Sequence, residues 1–314
     1  SQGQHVIVTA GTGSGKTEAF LLPLLSSLLE ESERWGPSNQ SPNAWWREQG
    51  QGFVPQRQGE TGRRAAIRAL VLYPMNALVE DQLERLRRAL DSPAAREWLD
   101  SHRGGHRFYF GRYTGRTPVA GDPTNLGKRK ELARQLSAME ARARQVADDE
   151  AKRYFVQQLD GAEMRSRWDM QAHPPDVLIT NYSMLSIMLM RRIEAPMFAQ
   201  TAEWLAESDE NRFTVILDEL HMYRGTAGTE IRFLLRNLLD RLGIARSPEK
   251  VRFLAASASV GGEEQQFLDF IEGFFAQPSS QFAVLAGKVD LPDFEPRPLA
   301  RLGAPLASVG RAIS

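Results

Sequence analysis

The chain has 314 residues, 42% hydrophobic and 25% charged, a balance that suits a folded globular protein and argues against disorder. Its 39 Lys and Arg offset 39 Asp and Glu, so no overall field draws it toward a polyanion and any such contact must be local. It has no cysteine, which excludes disulfides, iron–sulfur clusters and thiolate zinc sites. No run of about 18 apolar residues and no N-terminal signal pattern occurs, so the expectation is a cytoplasmic protein without a membrane partner.

The first element is His5-Val6-Ile7-Val8-Thr9, β-branched and followed at once by glycines, which predicts a buried strand running into a tight turn. Residues 17–31 place Phe20, Leu21, Leu24, Leu25 and Leu28 on one helical stripe. From about residue 32 to 66 the composition turns polar, and this predicts a long surface insertion anchored by Trp35, Trp45, Trp46 and Phe53. Ala69-Leu70-Val71-Leu72-Tyr73 predicts a strand stopped by Pro74, and Ala77 to Leu90 an amphipathic helix. Phe108-Tyr109-Phe110 is a further strand candidate. Residues 118–173 predict a second insertion, charged and helical, with its charges on a solvated face. Val177–Thr180, Phe213–Leu217 and Val251–Ala255 are continuously apolar, as strands covered on both faces are, and helices are expected at about 183–192, 226–242 and 263–275. Strands alternating with helices predict an α/β fold with a mostly parallel sheet flanked by helices.

Ala10-Gly11-Thr12-Gly13-Ser14-Gly15-Lys16-Thr17 joins the first strand to the first helix, which is the context of a phosphate-binding loop. Thr12, Gly13, Ser14 and Gly15 allow backbone N–H groups to converge on one point, and the helix N-terminus favours negative charge there. Lys16 is expected on the β- and γ-phosphates of ATP and the Thr17 hydroxyl on Mg²⁺. Ala10 departs from the strict glycine at the start of the pattern. Such a loop requires an acidic partner at another strand's end, and Asp218-Glu219-Leu220-His221 follows Val215-Ile216-Leu217 directly. Asp218 is expected to hold Mg²⁺ and Glu219 to act as general base toward water.

Taken in order, these segments resemble the first RecA-like lobe of superfamily 2 DExH-box helicases, in which the A-x-T-G-S-G-K-T form is common. Leu72–Gln82 is similar to motif Ia of that family, Tyr113–Thr117 to the next strand-end motif, Ile179–Leu185 to its T-N-x-x-M-L segment, and Ala256-Ser257-Ala258-Ser259 to motif III. His221-Met222-Tyr223-Arg224-Gly225, followed by a long helix, resembles the YprA/MrfA and Lhr-like DNA helicases and related bacterial defence helicases.

The resemblance implies a RecA-like P-loop NTPase lobe at 1–262 with insertions at about 32–66 and 118–173. Residues 263–314 would form a C-terminal helix and linker toward a second lobe, in cis or in a partner chain. It implies an ATP hydrolase acting on nucleic acid, DNA by preference. Pro74, Asn76, Thr114, Gly115, Arg116, Thr180 and Asn181 would line the nucleic-acid track, and His221, Ser257 and Ser259 would couple it to ATP. The first lobe alone would be weakly active, because the second lobe of such motors supplies arginine fingers. Two other readings are a P-loop switch acting on a protein partner, and a nucleotide-dependent interaction module using the Trp-bearing insertion.

Overall fold

The computed structural model describes residues 5–9, 16–39, 43–48, 50–74, 77–223, 225–258 and 264–287; at 16–18, 77–78, 226–227 and 264 it describes the backbone alone. In chain order the elements are β1 (His5–Thr9), α1 (Lys16–Ser32), β2 (Ala69–Tyr73), α2 (Ala77–Leu90), α3 (Pro93–His102), β3 (Phe110–Arg112), α4 (Leu126–Gln145), α5 (Arg167–Ala172) and β4 (Val177–Asn181). There follow α6 (Tyr182–Met190), α7 (Ala195–Glu207), β5 (Phe213–Leu217), α8 (Thr226–Arg241), β6 (Val251–Ser257), α9 (Glu264–Phe275) and β7 (Phe282–Ala286).

Among the described residues the strands form one seven-stranded sheet in the order β3-β4-β2-β5-β6-β1-β7, with every pairing parallel. The period of two along each strand divides its side chains between two cores. Ala69, Val71 and Tyr73 of β2 pack with Phe20, Leu24 and Leu28 of α1 and Val79, Leu83 and Leu86 of α2. Leu70 and Leu72 face the opposite way, with Leu185 of α6, Phe198 of α7 and Leu235 of α8. Both faces are covered, which is why these strands read as unbroken apolar runs.

Three differences from the sequence expectation stand out. The strand expected at 108–110 lies at Phe110–Arg112, because the Tyr109 N–H is taken by the Asp176 carboxylate at 2.7 Å and cannot enter the ladder. Helices α3 and α7 were not anticipated, although Ser92 with Pro93 after it is a helix-start signal: the Ser92 hydroxyl accepts from the Ala95 N–H. Beyond α9, the chain adds β7 beside β1, with Val8 opposite Leu285, so the sheet continues past residue 262. Phe267, Ile271, Phe274, Phe275 and Phe282 join the α6–α8 core, which accounts for the run of phenylalanines.

The two insertions are not independent surface adornments. Trp45, Trp46 and Phe53 of the first pack with Leu132 and Leu136 of α4, Leu159 and Trp168 of the second, in a small core of their own. Polar contacts follow the same seam: the Gln56 N–H donates to Asp169 at 2.7 Å, and the Arg165 N–H donates to the Gln56 side-chain oxygen at 3.0 Å. The second insertion returns beside β3, where the Phe110 N–H donates to the Ala162 carbonyl and the Met164 N–H to the Phe110 carbonyl.

The side chains of Arg57, Glu60 and Arg63 in the first insertion are also interior rather than surface. Arg57 donates to Glu60 at 2.6 Å, Arg63 to Glu60 at 2.8 Å and to Asp176 at 2.9 Å, and Arg68 to Asp176 at 2.8 Å and Glu31 at 2.7 Å. The network ties the first insertion to the starts of β2 and β4 and the end of α1. Burial opposes the Glu60 charge, but the Arg57 and Arg63 guanidiniums outweigh it and hold the carboxyl well below the usual range.

Because folding lowers this pKa, the stabilisation is complete above pH 4.5, the ordinary value for the group, and is lost progressively as pH falls below it. Glu60→Gln, which leaves two buried guanidiniums short of a counter-charge, is expected to cost about 3 kcal/mol at pH 7. Urea unfolding between pH 3 and 7 tests this: the variant should lose less stability than the parent below pH 4.5, and superimposable pH profiles would refute the assignment.

Candidate active site

In a parallel sheet every strand leaves by the same edge. β5, β6 and β1 are neighbours there, with Leu217 opposite Ala255 and Thr9 opposite Ser257. The end of β1, the acidic pair after β5 and Ala258 after β6 therefore share one carboxyl edge. Lys16 and Thr17 are the first two residues of α1, described as backbone. Thr12, Gly13, Ser14, Gly15, Asn76 and Ser259 lie outside the described residues.

Asp218 continues β5 by one hydrogen bond, its N–H donating to the Leu72 carbonyl at 3.3 Å. Its side chain is buried, and one carboxylate oxygen accepts the Glu219 N–H at 2.9 Å. That bond helps hold Glu219 at φ 52°, the left-handed region that a residue with a Cβ enters at a cost of about 1–3 kcal/mol. The turn reverses the chain at once, so adjacent carboxylates can point to different places. Glu219 then lies 3.3 Å from His221 Nδ1, and the Ala258 N–H donates to the same nitrogen at 3.4 Å. One nitrogen cannot serve both: unprotonated it accepts from Ala258, protonated it donates to Glu219. His221 thus stands between the ends of β5 and β6.

Two tyrosines not among the residues expected at the site feel the Asp218 charge. Tyr73 is fully buried, its hydroxyl has no hydrogen-bond partner, and burial, then the Asp218 charge, pushes its pKa well up. Tyr223 is raised by the same two causes in the same order. Both lie within the motif-like segments Leu72–Gln82 and His221–Gly225, but their closeness to Asp218 comes from the strand order and the turn after β5.

The remaining strand-end residues continue the edge through β2, β4 and β3, Tyr73 standing opposite Asn181. Gly115 and Arg116 are exposed, and Pro74 is half-buried. Thr180 is fully buried, its hydroxyl donating to the Tyr113 carbonyl at 2.7 Å. Thr114 is buried too: its N–H donates to the Thr117 hydroxyl at 3.0 Å, and its own hydroxyl accepts the Arg116 N–H at 3.3 Å. The Asn181 side chain caps α6 by accepting the Met184 N–H at 2.8 Å. Ser257 is buried at the end of β6. The loop at 114–117 is secured from beneath by Arg167, which donates to the Thr114 carbonyl at 2.7 Å, and by Tyr113, whose hydroxyl donates to Glu194 at 2.7 Å.

Gly228 sets how closely the turn carrying the acidic pair approaches α8, because a Cβ there would overlap the Tyr223 carbonyl. Gly228→Ala is expected to displace the Leu220–Tyr223 turn and cost about 1–3 kcal/mol. Thermal unfolding, with hydrogen exchange at residues 218–223, checks this; a variant as stable and as protected as the parent would show that the turn yields freely.

Residues 1–107 match the family model described as DEAD/DEAH box helicase. The chain is 34% identical over 326 aligned residues to Druantia protein DruE of Escherichia coli (strain UMEA 4076-1), a match covering 90% of this chain and 16% of DruE. It is 36% identical over 88 residues to DEAD-box ATP-dependent RNA helicase 13 of Oryza sativa subsp. japonica, covering 28% of this chain and 9% of that protein. The chain thus spans about a sixth or less of the length of these relatives. Among solved structures it resembles the DUF1998 helicase MrfA bound to DNA, with a TM-score of 0.47 and 18% identity over 91% of this chain and 25% of that one. The helicase-model match over residues 1–107 and the likeness to DruE along 90% of this chain make the chain similar to DEAD/DEAH box helicases, and its all-parallel sheet flanked by helices is the fold expected of their ATP-binding lobes.

Proposed function

We propose that this lobe binds and hydrolyses ATP within a motor that translocates along or unwinds nucleic acid, DNA by preference. The observation that carries the reading is the common carboxyl edge of β1, β5 and β6, where the end of β1, which the Gly-rich segment follows in sequence, lies with the Asp218–Glu219 pair and with Ser257 and Ala258. Thr12, Gly13, Ser14, Gly15 and Lys16 would cradle the phosphates at the start of α1. Thr17 and Asp218 would hold Mg²⁺, and a hydroxyl with a buried carboxylate is a donor set that suits this hard cation. The bound ion would neutralise phosphate charge during transfer.

Glu219 would accept a proton from the attacking water at its carboxylate. Its left-handed backbone is a local strain of the kind that clusters at functional sites, and supports that role. His221 would report the state of Glu219 to β6 by exchanging its Ala258 contact for its Glu219 contact, with Ser257 and Ser259 carrying the coupling onward. Pro74, Asn76, Gly115, Arg116 and Asn181 would meet the sugar–phosphate backbone, contacts that position a strand without reading its bases. Thr114 and Thr180, whose buried hydroxyls are already engaged, would shape that track from below.

α9 and β7 would complete the lobe, and the chain after them would lead toward a second RecA-like lobe, in the same polypeptide or in a partner. Among the described residues no helix is long and apolar enough to cross a membrane.

ATPase measurements on the full-length protein test the proposal. Single-stranded DNA should stimulate turnover strongly in the parent. Lys16→Ala should abolish nucleotide binding and turnover together, while Glu219→Gln should retain binding and lose about 10²-fold or more in rate, as removal of a general base does. Equal rates with and without DNA would instead favour a P-loop switch acting on a protein.

A further inference from the structure

The seam between the two insertions encloses a half-open cavity of about 360 Å³, lined by Asn43, Trp46 and Arg47 from the first and by Glu140, Gln158 and Arg165 from the second. Arg47 donates to Glu140 at 3.0 Å and Arg144 at 3.1 Å, and the Trp46 indole N–H adds a third donor at 3.3 Å. Asp160 is engaged by Arg96 at 3.2 Å, from outside the cavity. Both carboxylates are therefore already satisfied.

Arg165 is held differently. It is 2% exposed and stacks over the Trp46 ring, 4.5 Å from the centroid, and the opposite charge it feels most is that of buried Asp169, with which it forms no salt bridge. Nε donates to the Leu159 carbonyl at 2.8 Å and Nη1 to the Asn43 side-chain oxygen at 3.1 Å, both neutral acceptors, and among the described residues Nη2 makes no hydrogen bond. Beside it, the Gln158 Nε2 is a buried amide donor without a partner. A buried guanidinium N–H without an acceptor is costly in a folded protein, as is an orphaned amide donor. Two unmet donors on one cavity wall are satisfied together by an oxyanion.

The geometry points to a ligand site here for a small free organic oxyanion, a carboxylate or a phosphate ester, received by Arg165 and Gln158. Arg165 would supply the charge and the planar fork that matches such groups. Gln158 would add direction, and Arg47 and Arg144 would attract the ligand at the rim. Asn43 and Arg47 belong to one insertion and Gln158 and Arg165 to the other, so occupancy would clamp the two together. The inference does not depend on the motor reading, since it uses no residue of the nucleotide site.

The test is titration of the full-length protein carrying Lys16→Ala, which removes the phosphate-binding loop as a competing site. Inorganic phosphate and acetate are the probes for the two sources, with sodium chloride at matched ionic strength as control. The expected result is a saturable rise in melting temperature with one or both probes, with slowed hydrogen exchange at residues 43–47 and 140–147. Gln158→Leu and Arg165→Met should each weaken the apparent affinity at least tenfold. Should Arg165→Met fail to fold, Gln158→Leu decides alone. A response no larger than that to chloride, or one unchanged in folded Gln158→Leu, overturns the proposal.

Discussion

Everything at the candidate site follows from the parallel pairing of β1, β6, β5, β2, β4 and β3, because a parallel sheet releases all its strands at one edge. Positions more than two hundred residues apart, the end of β1 at Thr9 and the end of β5 at Leu217, come to one edge with only β6 between their strands. Each strand carries a short polar segment at its carboxyl end, and the backbone pairing alone fixes their order along the edge. An antiparallel insertion anywhere in this series would send one of those segments to the opposite side of the molecule. The same logic makes open α/β sheets bind ligands at the carboxyl ends of their strands.

Around Asp218 the sheet supplies an environment as well as a position. Tyr73 from β2 and Tyr223 from the turn after β5 lie near enough to Asp218 for its charge to push both hydroxyls up, and the left-handed backbone at Glu219 accompanies the approach of the second carboxylate to His221. A buried charge interacts strongly with any charge brought near it. His221 contacts both the Glu219 carboxylate and the first N–H after β6, so a change in its hydrogen bonding is felt by two strands at once. The close approach permitted by Gly228 holds this turn against α8.

At the opposite edge, Asp176 gathers Arg63, Arg68 and the Tyr109 N–H just before β4 begins. Buried ion networks of this kind contribute little net stability when intact and cost much when broken, so their main effect is to specify one arrangement. Here they specify where the first insertion enters the body of the lobe. From there it runs to the second insertion, and the pair share the small core around Trp46, Leu136 and Trp168.

Strand and helix identities in the main body were legible because buried parallel strands and covering helices leave strong local patterns. Ala69–Tyr73 and Ala77–Leu90 match the expected bounds residue for residue, and the sequences at 10–17 and 218–221 are what the proposed phosphate and magnesium roles rest on. What the chain could not declare locally is which distant groups neutralise one another. Arg57 and Arg63 look like surface arginines until Glu60 and Asp176 are beside them, and Thr114 and Thr180 look like available hydroxyls until each has found a partner of its own. Composition and periodicity act over a few residues and determined the elements and the chemistry at their ends. Burial of charge, the union of the insertions and the surroundings of Asp218 depend on contacts between remote segments, so only tertiary packing decided them.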